Sequence, residues 1–275
     1  MKNNLISKHF SKSAKHYDAH AVLPQKLCSL LTEYISARIK NKYKNGLILD
    51  IGTGTGELII TLKKMFPDAV IAGFDIAHGM IEEANKKINQ GISGNKTSTS
   101  DIYLFQADAE KIPVKDTCCC FAVSNAAYQW ISDLEQAFKE VFRILTPGGK
   151  FIFTIFGDRT LNELIASGSN KVGHLEFKNK EKIILILTKT GFAINDFITH
   201  NYIIYNPDIF SLLQSLKRMG AGNIFWEKGL SGRAFLKKLN TNYTNLFGTD
   251  KGLPATFEIF VVSAVKHESN TIYKS

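Results

Sequence analysis

Long apolar runs are missing from this 275-residue chain. No stretch approaches the roughly 20 residues that cross a bilayer, so a membrane-spanning helix is excluded, and the mean hydropathy of −0.06 fits a soluble protein. The start, Met1 to Asn4, leads into Lys, His and Ser rather than an apolar segment, so no secretory signal is expected. Cysteine is scarce: Cys28 and the triplet Cys118-Cys119-Cys120 are all there is. Neighbours on a strand point to opposite faces, so the triplet cannot close around one tetrahedral metal. No disulfide framework is possible either, and a reducing, cytoplasmic location follows. Arginine is rare among the 34 basic residues, being present only at positions 38, 143, 159, 218 and 233. No arginine-rich arm or basic-aromatic stripe marks a nucleic-acid module. The net charge of +9 is carried mostly by scattered lysines, which fits an acidic partner or a solvated surface equally well.

The remaining composition, 44% hydrophobic, supports one large core with room for a cap. Residues 1–45 read as a helical lid, with Phe10, Ala14, Tyr17 and Ala21 at helical spacing, an interruption at Pro24, and Leu27, Leu30, Leu31, Tyr34 and Ile35 beyond it. From 46 to 205, strand and helix patterns alternate. The strands are Leu47–Ile51, Val70–Asp75, Ile102–Gln106, the cysteine run, Lys150–Phe156 and Ile194–Tyr205. Capping boxes Ser132–Glu135 and Thr160–Glu163 open two of the helices. Residues 206–250 read as a helical cap insertion in which Asn206-Pro207 starts a helix ending near Gly220, and a second helix runs from Ser231. Residues 251–275 supply the last strand and tail. The expected fold class is α/β, a doubly wound, mostly parallel seven-stranded sheet.

The most informative stretch is Asp50-Ile51-Gly52-Thr53-Gly54-Thr55-Gly56, in which a buried-type strand ends in an acid and delivers the chain into a glycine loop before a helix. Its spacing is G-x-G-x-G, whereas a pyrophosphate loop is G-x-G-x-x-G. The tighter loop suits a ligand without phosphates, such as S-adenosylmethionine, whose adenosyl and methionyl parts lie close to the backbone. Asp75, about 20 residues on, stands where an acid meets ribose hydroxyls. Alone it could be a solvent-facing strand end; beside Asp50 and the glycines, ligand binding explains more. Asp108 and Ala109 flank the adenine in this reading, although Asp108 also suits an Asx turn. Ligands of open parallel sheets sit at strand carboxyl ends, which adds Asn125.

These residues resemble the class I S-adenosylmethionine-dependent methyltransferases, as does Leu145-Thr146-Pro147-Gly148-Gly149-Lys150. The resemblance implies strand order 3-2-1-4-5-7-6 with strand seven antiparallel. It also implies cofactor contacts from Tyr17, Asp50, Gly52, Thr53, Gly54, Gly56, Asp75, Ile76, Met80, Asp108, Ala109 and Asn125.

Further motifs are similar to the malonyl-[acyl-carrier protein] O-methyltransferases of biotin synthesis: Phe10, Ala14, Tyr17-Asp18, Ala21 and Gln25 in the lid; Ser124-Asn125 with Gln129-Trp130; Thr160-Leu161 with Glu163-Leu164; Met219-Gly220-Ala221; Gly232-Arg233; and Leu253 to Glu258. Cysteines stand where that family commonly starts strand four with Phe-Asp. The implied reaction methylates the free carboxylate of a malonyl thioester, on an acyl carrier protein or on CoA, by a monomer that needs neither nucleic acid nor membrane. A carboxylate is ionised at neutral pH and needs no general base, and none of the seven histidines stands in a recognisable His–carboxylate dyad.

Catalysis then rests on positioning and a dry aromatic lid of Tyr17, Tyr128, Trp130 and Phe156. The resemblance assigns Tyr17, Trp130 and Arg143 to catalysis and Gln129, Trp130, Arg143, Phe156, Arg218 and Arg233 to the acceptor. Arg143 would grip the malonyl carboxylate in a planar fork, the other reading being a surface or helix-terminus role. Alternatives are a methyltransferase-fold assembly factor that hydroxylates an arginine of a respiratory complex, a cofactor-binding protein without chemistry, and RNA methylation. The assembly factor carries a basic segment where this chain has Tyr17-Asp18 and Gln25.

Overall fold

The computed structural model describes residues 2–19, 21–39, 46–92, 101–168, 177–217 and 233–267. Two helices, α1 (Lys2–Tyr17) and α2 (Val22–Arg38), precede strand β1 (Leu47–Ile51). Helix α3 (Glu57–Met65), β2 (Val70–Asp75), α4 (His78–Ile92), β3 (Ile102–Gln106) and β4 (Cys119–Asn125) follow in alternation. Then come α5 (Leu134–Ile144), β5 (Leu145–Phe156), α6 (Asn162–Ala166), α7 (Lys180–Lys189) and β6 (Phe192–Asn206). Helices α8 (Ile209–Leu216) and α9 (Arg233–Phe247) lie between β6 and the last strand, β7 (Leu253–Lys266).

The seven strands form one sheet in the order β3-β2-β1-β4-β5-β7-β6. All neighbours are parallel except β7, which runs antiparallel to both β5 and β6. This is the expected architecture. The order reverses between β1 and β4, so the crevice opens at their carboxyl ends, where Asp50 and Asn125 lie.

The central strands are buried on both faces, as continuous apolar runs require. One face packs on α5 and α7 through a ring cluster in which Phe138 meets Tyr128, Phe151 and Phe153 at centroid distances of 5.2, 5.8 and 5.4 Å. The other face packs on α2 and α3 through Leu31, Ile35, Leu58, Ile59 and Leu62. A third apolar cluster joins α1 and α2 to α8, α9 and β7 through Ile6, Leu23, Leu212, Tyr243 and Phe257. Among the described residues no helix is long and apolar enough to cross a membrane.

Several local signals resolve differently from the sequence expectation. Pro24 does not interrupt a helix. It lies in the first turn of α2, where a missing N–H costs nothing, and the break falls before Val22. The cap of α5 is Asp133, which accepts from the Gln136 N–H at 2.9 Å; Glu135 instead pairs with Lys139 and Lys189. Thr160 and Glu163 form no capping box. The Thr160 side chain bonds the backbone of Glu258, and the Glu163 carboxylate takes the backbone and hydroxyl of Thr256, so both tie α6 to β7. Asp208, not Asn206, caps α8 by accepting from the Ser211 N–H at 2.7 Å. Gly220 and Ser231 lie outside the described residues. Short polar side chains bond whatever N–H the tertiary structure offers, so neighbouring candidates compete for each cap.

Phe138→Ala removes the middle of the ring cluster and should cost about 3–5 kcal/mol in chemical denaturation.

Candidate active site

Strand β1 ends beneath a turn of three left-handed glycines, Gly52, Gly54 and Gly56, with φ of 72°, 54° and 84°. A Cβ on Gly52 would stand 2.4 Å from the Cβ of Ala127. The N–H groups of Gly52 and Thr53 both bond the carbonyl of Phe74 at 2.9 Å, folding the turn over the end of β2. Gly54 N–H then bonds Asp75 Oδ2 at 3.0 Å, and Ala77 N–H bonds Asp75 Oδ1 at 2.8 Å. The turn therefore aims two acids, Asp50 and Asp75, at one cleft.

The cleft has two lobes that share Tyr17, Gly52, Gly54 and Asn125. Asp75, Ile76, Met80, Asp108, Ala109 and Glu110 line the first. Asp50, Thr53, Thr55, Asp18, Gln25 and Cys28 line the second. Helix α1 covers the first lobe with Ile6, Phe10 and Tyr17, and the Phe10 ring meets Trp130 edge-on at 5.3 Å. Asn125 donates to the Pro24 carbonyl at 3.0 Å and accepts from Thr154 at 2.8 Å, which holds the start of α2 against the sheet. Asp108 makes the Asx turn, accepting from Glu110 N–H at 3.0 Å, and still lines the cleft. Glu110 in turn accepts from the backbone of Ser132 and Asp133.

Asp50 is 1% exposed. Its Oδ2 accepts from the Thr53 hydroxyl at 2.8 Å, while its buried Oδ1 has no partner among the described residues. Burial pushes its pKa up to about 7, against the Thr53 hydrogen bond and with a further push from Asp75. Burial likewise raises Asp75 to about 6, against the N–H groups of Ala77, Gly54 and Ile76. An orphaned, desolvated carboxylate oxygen in the narrower lobe is what an ammonium group would satisfy. The other lobe offers an apolar slot edged by acids. S-adenosylmethionine, with an amino-acid end, ribose hydroxyls and a flat base, fits this donor and acceptor set.

The structure thus gathers Tyr17, Asp50, Gly52, Thr53, Gly54, Asp75, Ile76, Met80, Asp108, Ala109, Asn125 and Trp130 around one cleft, with Gly56 opening α3 below it. Four other assignments end elsewhere. Arg143 is a correction: its five N–H groups are taken by Glu140 Oε1 and Oε2, Asp116 Oδ1 and the carbonyls of Ile112 and Val114. It staples the β3–β4 connection to the end of α5 and has no donor left for a substrate. Tyr128 is 1% exposed inside the ring cluster and is not part of a lid. Phe156 does not line the cleft; it packs on Phe177 and Phe257. Gln129 donates to the Ala126 carbonyl, holding the turn that presents Trp130. Arg218 and the Arg233 side chain lie outside the described residues. Ile6, Phe10 and Glu110 were not among the expected site residues. Only the spacing of Phe10 and Tyr17, two turns apart on one helix face, hinted that both look inward.

Residues 49–153 match a methyltransferase domain family. The chain is 33% identical to the malonyl-[acyl-carrier protein] O-methyltransferase of Nitrosospira multiformis, over 97% of this chain and 90% of that one. It is 31% identical to the protein of the same name from Geobacter sulfurreducens, over 91% and 94%. Among solved structures, the YcgJ protein from Bacillus subtilis superposes with a TM-score of 0.62 at 18% identity, over 89% of this chain and 99% of that one.

Two outcomes follow. Between pH 3.8 and about 7 the folded protein keeps a proton on Asp50 that the unfolded chain loses, so folding stability falls as pH rises through that window. Capture of an ammonium needs the anion, so cofactor affinity rises across the same range. Calorimetry with S-adenosylhomocysteine should show about tenfold weaker binding at pH 6 than at pH 8. Asp50→Asn should abolish binding while melting no lower than wild type at pH 8. Separately, Arg143→Gln should cost about 1–3 kcal/mol of stability and leave S-adenosylhomocysteine affinity unchanged.

Proposed function

The chain belongs to the malonyl-[acyl-carrier protein] O-methyltransferases, and from that premise we propose that it methylates the free carboxylate of a malonyl thioester held on an acyl carrier protein. The observation that carries this reading is the reach of the likeness. It covers 91% and 97% of this chain, and so extends beyond residues 49–153, which match the domain family, to the N-terminal helices and the helices between β6 and β7. Other relatives of similar identity bear the name biotin biosynthesis bifunctional protein BioHC, which supports a role in biotin synthesis. The arginine-hydroxylase alternative is not favoured by these relatives. Esterification masks the charge at one end of the malonyl unit, so that chain-elongating enzymes can take it as a primer.

When bound, S-adenosylmethionine supplies an electrophilic methyl group on a cationic sulfur. The chain's own residues do the rest. Asp50 Oδ1 would hold the ammonium, Asp75 would take the ribose hydroxyls, and Ile76, Met80 and Ala109, which line the apolar lobe, would enclose the base with Asp108 at its edge. Phe10, Tyr17 and Trp130 line the lobe, where they would exclude water and could offer a ring face to the positive charge. A malonyl carboxylate is already ionised, so no residue has to remove a proton, and the barrier is lowered by placement. Trp130 is assigned to the acceptor side, with Gln129 fixing its turn and Phe156 backing the apolar cluster that Trp130 joins. By resemblance, Arg218 and Arg233 serve the carrier.

Radiolabelled S-adenosylmethionine offered with malonyl-carrier, malonyl-CoA or RNA should leave base-labile label chiefly on malonyl-carrier. Label on RNA, or none on either malonyl thioester, would sink the proposal. Trp130→Ala should lower kcat/KM about tenfold or more for malonyl-carrier, and the gene should restore growth of a biotin-requiring strain.

A further inference from the structure

The lid is not held over the cleft by apolar contact alone. Asp18, the first residue after α1, places its two carboxylate oxygens on two different walls of the cofactor cleft. Oδ1 accepts from the hydroxyl of Thr55, in the glycine turn, at 2.6 Å. Oδ2 meets Lys87 Nζ, from α4, at 2.9 Å. Lys87 also holds Glu57 at the start of α3, at 2.6 Å. The Asp18 carbonyl accepts from Gln25 Nε2 at 3.0 Å, which joins the same point to α2. Four elements of the site therefore meet at one residue, α1, α2, the glycine turn and α4, and Lys87 extends the link to α3.

The residue before it is Tyr17, which lines both lobes of the cleft. The rest of α1 is attached by two neutral hydrogen bonds, Ser7 to the Ile76 carbonyl and Gly79 N–H to Ser11, both near the adenosyl lobe. At the methionyl end the attachment is Asp18. Thr55 is buried, whereas Asp18 and Lys87 are 44% and 30% exposed, so the hydroxyl bond is shielded and the ion pair is open to salt.

We propose that Asp18 is a positioning residue that latches α1 and Tyr17 across the cofactor, with Thr55 and Lys87 as its two anchor points. The latch closes the lobe in which Asp50 awaits the ammonium, and its strength sets how long the cofactor stays. It acts through Tyr17 and the lid and touches no reacting atom. The inference rests on the cofactor placement above and is independent of the methyl acceptor, because every readout below uses S-adenosylhomocysteine alone.

The test is stopped-flow dissociation of S-adenosylhomocysteine and hydrogen exchange of α1, in wild type, Asp18→Ala, Thr55→Val, Lys87→Met and Asp18→Ala/Thr55→Val. Asp18→Ala should speed dissociation about tenfold or more, since a hydrogen bond to a charged group is lost. Thr55→Val should approach that effect, and the double variant should add little to Asp18→Ala. Lys87→Met should give a change of about two- to fivefold and should flatten the salt dependence of dissociation seen in wild type. Protection of α1 amides by S-adenosylhomocysteine should weaken in the same order. Dissociation and protection within twofold of wild type in Asp18→Ala would overturn the proposal. If Asp18→Ala does not fold, dissociation within twofold of wild type in both Thr55→Val and Lys87→Met would do so. Normal binding with no methylation of malonyl-carrier would count against the acceptor assignment and leave the latch supported.

Discussion

Burying a carboxylate costs several kcal/mol unless a counter-charge or donors meet it, and this fold bears that cost at Asp50. Thr53 satisfies one oxygen and nothing in the described chain satisfies the other. The position follows from topology. β1 lies between β2 and β4, at the point where strand order reverses, so its last residues open into the crevice while its faces are covered by helices. A residue at an edge strand would have been solvated, and its pKa would have stayed ordinary. Here the cost is offset when a cation arrives, so affinity for the cofactor and instability of the free protein have the same origin.

The glycine turn serves that carboxylate. Two N–H groups on one carbonyl of β2, and a third on Asp75, lock the loop, with Gly52 seated against Ala127 and open space at the Cβ position of Gly54. The backbone can then approach a ligand closely, and two acids converge on one cleft. Above it, α1 supplies the aromatic cover. Its apolar face meets the cleft and Trp130, while its serines reach the start of α4 and the junction beyond it carries the polar ties. A lid that is partly polar in its attachment can release product, whereas an entirely apolar one would bury the site for good.

Much of this was legible beforehand because its causes are local. Alternating apolar strands and helical faces, a strand ending in an acid, and glycines at left-handed positions are all signals carried within a dozen residues. Asp50, Gly52, Thr53, Gly54, Asp75, Asp108, Ala109 and Asn125 could be named this way, whereas Tyr17, Ile76, Met80 and Trp130 were named through the family resemblance. The failures share a different cause. Arg143 was read as a fork for the substrate, yet the β3–β4 connection, some 30 residues earlier, takes three of its N–H groups and Glu140, one turn away on α5, takes the other two. Tyr128 was read as a lid ring, yet the turn of Tyr128–Trp130 sends neighbouring aromatic rings to opposite destinations, one into the core and one to the cleft. The expected cap at Ser132 lost to its neighbour Asp133, and the capping box at Thr160 lost to the backbone of β7.

The sequence by itself determined the class of sheet, the cofactor loop and the acids that edge it, since hydrophobic period and backbone-permissive residues act over short range. The tertiary structure alone decided which polar side chains are free. A guanidinium or a hydroxyl bonds the strongest acceptor within reach, and what is within reach is set by chain segments far away in sequence. That is why, among the described residues, Asp50 keeps an open oxygen, Arg143 keeps no open donor, and Asp18 gathers four elements at the rim of the cleft.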